Sequence, residues 1–456
     1  MFYLIGIGGA GMSVVAELLQ QEGYQVSGSD GVESEVTHYL QSVGIPVYIG
    51  HSADHVPADA VVVVSSAIRD SNPELAVARS RGQRIVHRSQ ALALAAAGKD
   101  FVAVAGAHGK TTTSAMIALT LQELGRDPSW AIGGTLAGGG AGGHLGSGSI
   151  FVAEADESDA SFLNYTPRIA VVTNVEPDHL DHYGTREAFE EAFLEFSRNV
   201  SVGGLLIVCG DDDGAARLGM AALAEGRRVA SYGRGEPVRG VERHVRIVDE
   251  CHEYGCASGT FEDITGNYPV SLRIVGAHQL LNAAGAWLAG VELGADGTKF
   301  AASLHKFRGT QRRFESRGEA GGVRVIDDYA HHPTEVAATL RAAREFAGEG
   351  RVLVLFQPHL YSRTRNFAAQ FAKALSAADE VIVTSVYPAR EDPIPGVEGD
   401  VITEHMGGAH ARYVADKHEA ARQIAHAAVP GDVVLTMGAG NVTELGPEIV
   451  QELSKR

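Results

Sequence analysis

Phe2-Tyr3-Leu4-Ile5-Gly6-Ile7-Gly8-Gly9-Ala10-Gly11-Met12 opens the chain with an apolar run followed by a glycine turn matching G-x-G-x-x-G over 6–11. The spacing predicts a buried strand over 2–5 and a helix over 12–21. Further apolar runs predict strands at 25–28, 60–65 and 84–87. Strand and helix in alternation imply a parallel sheet covered on both faces. In such a turn the glycines let the backbone approach a pyrophosphate, and the helix N-terminus supplies positive potential. Gly8, Gly9, Ala10 and Gly11 are therefore candidate phosphate contacts. Asp30 ends the next strand, in Ser27-Gly28-Ser29-Asp30. In a dehydrogenase an acid at that place holds the adenosine ribose, so this region alone favours a nicotinamide enzyme. A tight turn with no ligand is the bland alternative.

A second unit begins near Lys99. A strand is expected over 101–105 and a helix over 110–124. Between them lies Gly106-Ala107-His108-Gly109-Lys110-Thr111-Thr112-Thr113. The G-K-T ending resembles a phosphate-binding P-loop, although Val104 stands where the full pattern has its first glycine. Backbone N–H groups and the helix end face an anion there. Lys110 reaches outer phosphates and Thr111 offers a hydroxyl to Mg²⁺. Two nucleotide-type loops in consecutive units weaken the dehydrogenase reading. An enzyme that binds a nucleotide-linked substrate and also ATP fits better.

Strands expected over 150–153 and 169–173 both end in polar clusters. These are Glu154-Ala155-Asp156-Glu157-Ser158-Asp159 and Thr173-Asn174-Val175-Glu176-Pro177-Asp178-His179. Mg²⁺ takes hard oxygen ligands, as Thr111 and Glu154 offer; with the nitrogen donor His179 they are the candidate metal set, against the alternative of a solvated acidic loop. The glycine-rich stretch 133–148 reads as a mobile loop, and 210–275 carries no pattern clear enough to assign. A third unit starts near Thr310, with strands expected over 323–326, 351–356, 380–384 and 432–437.

The 456 residues suggest about three domains. A net charge of −18 argues against nucleic acid as a partner. No apolar run is long enough to span a membrane, and the N-terminus carries no basic leader, so a cytoplasmic protein is expected. Cys209, Cys251 and Cys256 form an odd set that suits a reducing compartment. Cys251 and Cys256 lack the second pair of a zinc site and read as ordinary thiols.

Taken together, these motifs resemble the Mur ligase family along nearly the whole chain. The carriers are G-I-G-G-A-G-M at 6–12, S-G-S-D at 27–30, S-S-A-I at 65–68, G-A-H-G-K-T-T-T at 106–113, E-A-D-E-S-D at 154–159 and N-V-E-P-D-H-L-D-H-Y at 174–183. R-R-F-E at 312–315, D-D-Y-A-H-H-P-T-E at 327–335 and F-Q-P-H-L-Y-S-R-T at 356–364 complete the set. The resemblance implies an α/β protein of three domains: a Rossmann-like UDP-sugar domain over 1–98, a P-loop-type ATPase over 99–309 and a Rossmann-like amino-acid domain over 310–456. It implies ATP and Mg²⁺ as cofactors. The implied chemistry is phosphorylation of the carboxylate of UDP-N-acetylmuramate by ATP, then attack on the acyl phosphate by L-alanine. Addition of a recycled peptide to the same sugar nucleotide is the alternative.

Carried over by motif, Gly8, Gly9, Ala10, Gly11, Asp30 and Ser65 fall on the UDP-sugar side. Gly106, His108, Gly109, Lys110, Thr111, Thr112, Asn282, Arg313 and Asp328 fall on ATP. Tyr329, His331, His359 and Arg363 fall on the amino acid. Lys110, Glu154, His179 and Arg313 are the implied catalytic set. Oligomeric state is not legible.

The chain departs from the family pattern at Ala107, Gln279, Ala330 and Leu360. Later family members use a carbamylated lysine in the ATPase domain. No lysine stands between Lys110 and Lys299 here, so no carbamate is expected, and the second metal is expected to rely on His179, substrate and water instead.

Overall fold

The N-terminal apolar run forms the strand Phe2–Ile5, fully buried at the centre of a five-stranded sheet. The computed structural model describes residues 1–133, 142–178, 180–253, 256–389, 391–407 and 410–456. The strands of this first sheet lie in the order Val47–Ile49, Val26–Asp30, Phe2–Ile5, Val61–Val64 and Ile85–His87, and every pairing is parallel. A parallel strand covered on both faces must be apolar throughout, which is why V-V-V-V at 61–64 reads so clearly. The helix Ala10–Gln21 starts two residues earlier than the periodicity suggests. The glycine turn closes directly onto it: the N–H groups of Met12 and Ser13 both donate to the Gly9 carbonyl.

The second sheet has ten strands. Its body is parallel, running from Val229–Gly233 through Leu205–Cys209, Ile169–Val172, Asp100–Ala105 and Ile150–Glu154 to Ser129–Ala131. Asp100–Ala105 therefore sits between Ile169–Val172 and Ile150–Glu154. Three neighbouring strands release the three polar clusters at one edge of the sheet, where ligands bind in such folds.

The unassigned stretch over 210–275 holds the helix Asp213–Ala224 and the strands Val229–Gly233, Arg243–Glu253, Cys256–Asp263 and Gly266–Leu272. Cys251 and Cys256 are free and exposed.

The expectation of a mobile loop over 133–148 needs correction over 142–148. Gly143–His144 pairs antiparallel with Ser129–Ala131. A Cβ on Gly146 or Gly148 would lie 2.1 Å from a backbone carbonyl oxygen. Those glycines serve close packing, not mobility. Residues 134–141 lie outside the described residues.

The third sheet runs Glu315–Ala320, Val323–Asp328, Val433–Met437, Val352–Phe356, Glu380–Val383 and Ala411–Tyr413. Only the first pairing is antiparallel. The architecture is thus three α/β domains. They form two compact units: Met1–Asp249, Gly259–Ser271 and Leu281–Phe307 in one, and Glu250–Ser258, Leu272–Leu280 and Arg308–Arg456 in the other. In the first unit one continuous core runs from Phe2 and Leu4 to Phe151 and Phe193, so the first two sheets are joined by shared apolar packing.

Candidate functional site

The second glycine loop is held from below by the neighbouring strand end. Gly106 has φ +133° and Gly109 φ +82°, both in the region that favours glycine. A Cβ on Gly106 would lie 2.2 Å from Thr173 Oγ1, and one on Gly109 would lie 2.6 Å from Asn282 Oδ1. Thr173 Oγ1 donates to the carbonyls of Ala105 (3.2 Å) and His108 (2.5 Å). Asn174 accepts from the His108 N–H at 3.0 Å and donates to the His108 carbonyl at 2.9 Å. The His108 ring lies 3.2 Å from Glu176. The loop is therefore fixed before any ligand arrives. The helix Lys110–Glu123 then starts with no side-chain cap, leaving its first N–H groups available to an anion.

Lys110 Nζ donates to the Gly106 carbonyl at 2.6 Å and pairs with Glu157 at 2.9 Å. Burial pulls the lysine down, but Glu157, Asp156 and Glu154 outweigh it, and the ammonium is held above its ordinary range. Burial pushes the Glu157 carboxyl up to about 7 against the pull of Lys110. Burial also acts to lift Asp156, but Arg88 and Lys110 overcome it and hold the group at about 2. Glu154, half-buried at its strand end, accepts the Gly133 N–H at 2.7 Å. Thr111 is half-buried and Thr112 buried, both in the first turn of the helix. Asn282 sits against the loop at Gly109, which places it in the same cluster. His179 lies outside the described residues.

At the first glycine turn Asp30 has a local task. Its Oδ2 accepts the Gly8 N–H at 2.9 Å and its Oδ1 accepts that of Val32 at 3.3 Å, so the carboxylate braces the turn. Gly9 precedes the helix that Ala10 opens, and Ser65 follows the strand Val61–Val64. Gly11 leaves the space that Arg88 occupies: a Cβ there would lie 2.0 Å from Arg88 Nη1, and the guanidinium would have to move. Arg88 reaches Asp156 at 3.1 Å. Ser66 donates to Asp159, and His87 lies 3.5 Å from the same carboxylate. Burial lowers the His87 imidazole. The first sheet thus meets the acidic cluster of the second through Arg88, Ser66 and His87.

Sequence reasoning singled out none of those three, nor Glu157. The available signal was a basic residue immediately after a strand end, facing a run of acids.

The second unit gathers the remaining candidates. Arg313 lies 3.4 Å from Glu335 and 5.3 Å from the Tyr329 ring centroid. His331 bonds the Tyr329 carbonyl at 3.0 Å and pairs with Glu335 at 3.2 Å. The His331 and His359 rings meet edge-on at 5.9 Å, and His359 Nδ1 lies 3.5 Å from Arg363. Tyr387, absent from the sequence reading, stacks on His359 at 5.8 Å. Arg312, Phe314 and Leu360 hold positive φ without being glycine, and such strain clusters at functional sites.

Buried Asp328 accepts from the Phe314 and Ala330 N–H groups and from Thr339. Burial raises its carboxyl to about 6, with Arg313 pulling the other way. The folded value lies above the ordinary 3.8. Its stabilising contribution is therefore complete below about pH 4 and lost as pH rises through about 6. Denaturant titrations of wild type and Asp328→Asn between pH 4 and 7 should show the wild-type advantage shrinking by up to about 3 kcal/mol. A difference that stays constant with pH would remove this assignment.

Parallel sheets carrying a glycine-lysine loop and acids at one edge define a multidomain α/β protein suited to phosphate-bearing ligands. Comparison with known proteins narrows this. Residues 2–100 match the model of the Mur ligase family catalytic domain, 104–290 that of the Mur ligase middle domain, and 312–440 that of the Mur ligase glutamate ligase domain. The chain is 51% identical to the UDP-N-acetylmuramate–L-alanine ligase of Kineococcus radiotolerans, covering 100% of this chain and 96% of that one. It is 47% identical to the ligase of that name from Mycobacterium tuberculosis, covering 100% and 95%. The crystal structure of UDP-N-acetylmuramate-alanine ligase from Thermotoga maritima superimposes with a TM-score of 0.80 at 30% identity, covering 100% and 99%. The chain belongs to the Mur ligase family.

Proposed function

We propose that this chain joins L-alanine to UDP-N-acetylmuramate at the expense of ATP, the first amino-acid addition in peptidoglycan precursor synthesis. The observation that carries the reading is the edge of the second sheet. Lys110, Glu154 and the 173–178 cluster leave three adjacent parallel strands there. Full-length relatives at 47–51% identity bear that activity in their names.

A carboxylate acylates poorly until its oxygen is made a leaving group. ATP supplies that by phosphorylating the muramate carboxylate, and the alanine amine then attacks the acyl phosphate. The amide forms as phosphate leaves, and the amine proton passes to a base or to water. Lys110 and the open helix end neutralise charge that builds on the transferred phosphoryl group. Thr111 and Glu154 offer the hard oxygen donors that Mg²⁺ prefers, and bound Mg²⁺ would supply further charge neutralisation there. The first glycine turn receives the diphosphate of the sugar nucleotide. Tyr329, His331, His359 and Arg363 hold the amino acid, with Arg363 matched to its carboxylate. No helix among the described residues is long and apolar enough to cross a membrane.

Phosphate release measured with Mg·ATP should require UDP-N-acetylmuramate and run fastest with L-alanine as acceptor. Faster turnover with D-glutamate or with a peptide would overturn the assigned acceptor while leaving the ligase chemistry standing.

A further inference from the structure

We propose that Glu157 is a positioning residue that parks the Lys110 ammonium while no nucleotide is bound and yields it to nucleotide phosphate. The inference rests on the reading of 106–113 as the ATP loop. Glu157 is only 1% exposed. Its Oε1 lies 2.9 Å from Lys110 Nζ, and the Gly106 carbonyl lies 2.6 Å from the same nitrogen. Both acceptors hold the ammonium at the foot of the loop. A phosphate on the open helix end competes with Glu157 for that ammonium, because both anions gain most from a charge-assisted hydrogen bond to it. A fixed carboxylate beside the incoming phosphate also repels it.

Between these two partners it is the lysine that must move. The acid is anchored on both sides. Asp156 is paired with Arg88, Asp159 takes Ser66, and the Tyr183 hydroxyl donates to the Glu157 carbonyl. Lys110 stands on a flexible four-carbon stem. The upward shift of the buried Glu157 carboxyl agrees with this, since a group that readily takes a proton can be left by its lysine without stranding a charge.

Parking reduces the fraction of molecules ready for nucleotide and so weakens apparent affinity. The test uses the full-length chain as wild type, Glu157→Gln and Glu157→Asp. Calorimetric titration would give the dissociation constants of a non-hydrolysable ATP analogue with Mg²⁺ and of AMP, which lacks the outer phosphates. Glu157→Gln should bind the analogue at least about threefold tighter, with AMP unchanged. Glu157→Asp, one methylene short of the lysine, should shift the same way by less. Glu157→Gln decides if it shows a cooperative melting transition, and Glu157→Asp decides otherwise.

Unchanged or weaker analogue binding in the deciding variant would overturn the proposal, since Glu157 would then be supporting the lysine rather than competing for it. Equal tightening of AMP would also overturn it. A purely structural role would lower the melting temperature without improving affinity. If wild type itself failed to bind the analogue, the ATP-loop reading would fall, and this inference with it.

Discussion

Lys110→Met is expected to lower turnover by at least about 100-fold while UDP-sugar binding stays nearly intact. The ammonium lies against the loop, held by the Gly106 carbonyl and surrounded by Glu157, Asp156 and Glu154. Losing a preorganised charge-stabilising donor at a reacting phosphoryl group costs about 3 kcal/mol or more in the transition state. Methionine keeps the length and apolar stem, so packing changes little. Without its lysine the buried Glu157 carboxyl rises further and takes up a proton at neutral pH, which limits the stability cost of stranding it. The first glycine turn is braced by Asp30 and does not depend on Lys110. Steady-state phosphate release, read beside a UDP-N-acetylmuramate titration, checks this. Turnover near wild type would sink the phosphate role of Lys110. A matched loss of both ligands would indicate a damaged fold instead.

What could be read in advance follows from how each element is buried. Phe2–Ile5, Val61–Val64 and Asp100–Ala105 are central parallel strands, so their apolar runs stand out without structural help. Arg243–Glu253 does not stand out. It buries Val245 and Ile247 but carries Arg243, Arg246 and Asp249 between and beside them. The helix Asp213–Ala224 is built largely of alanine and glycine, which leaves little periodic signal. Glu315–Ala320 is mostly polar and exists through its antiparallel pairing with Val323–Asp328. Its one local clue was the Gly321-Gly322 turn, both residues at positive φ, a hairpin signal that went unused.

At the site, residue types and strand ends were legible, whereas partnerships were not. Arg88 and Asp156 are 68 positions apart in the chain and meet only because the first two sheets share a core. Asp30 illustrates the reverse case. Sequence placed it at a ligand, and the fold shows its carboxylate bonded to the turn itself. The proposed UDP-sugar contact must therefore work through an acid already engaged with Gly8.

The departure at Ala107 leaves the loop's anchoring intact, because the bonds from Thr173 and Asn174 go to the backbone of Ala105 and His108. This dependence on backbone makes Gly106 the most vulnerable position of the loop. Gly106→Ala combines two faults. Its φ of +133° is strained for any residue with a Cβ. The added carbon would also lie 2.2 Å from Thr173 Oγ1 and 3.0 Å from the Asn174 backbone nitrogen and oxygen. The hydroxyl can rotate away, but only by giving up its bonds to Ala105 and His108, and the Asn174 backbone cannot yield. The loop must therefore shift, and with it Lys110 and the helix end. A displacement of about 1 Å at a reacting group costs on the order of 100-fold in rate, so turnover should fall at least that far, with weakened ATP binding and unchanged UDP-sugar binding. Strain should lower stability by about 1–3 kcal/mol.

The control is Gly125→Ala, just beyond the other end of the same helix. Its φ of +74° lies near the left-handed helical region and carries the milder backbone penalty, and an added Cβ meets nothing within 4 Å. That variant should lose about 1 kcal/mol of stability and keep full turnover. Thermal melts and phosphate-release assays on both variants separate backbone strain from damage to the loop. Equal turnover in the two would mean that the shape of the glycine-lysine loop does not govern the reaction.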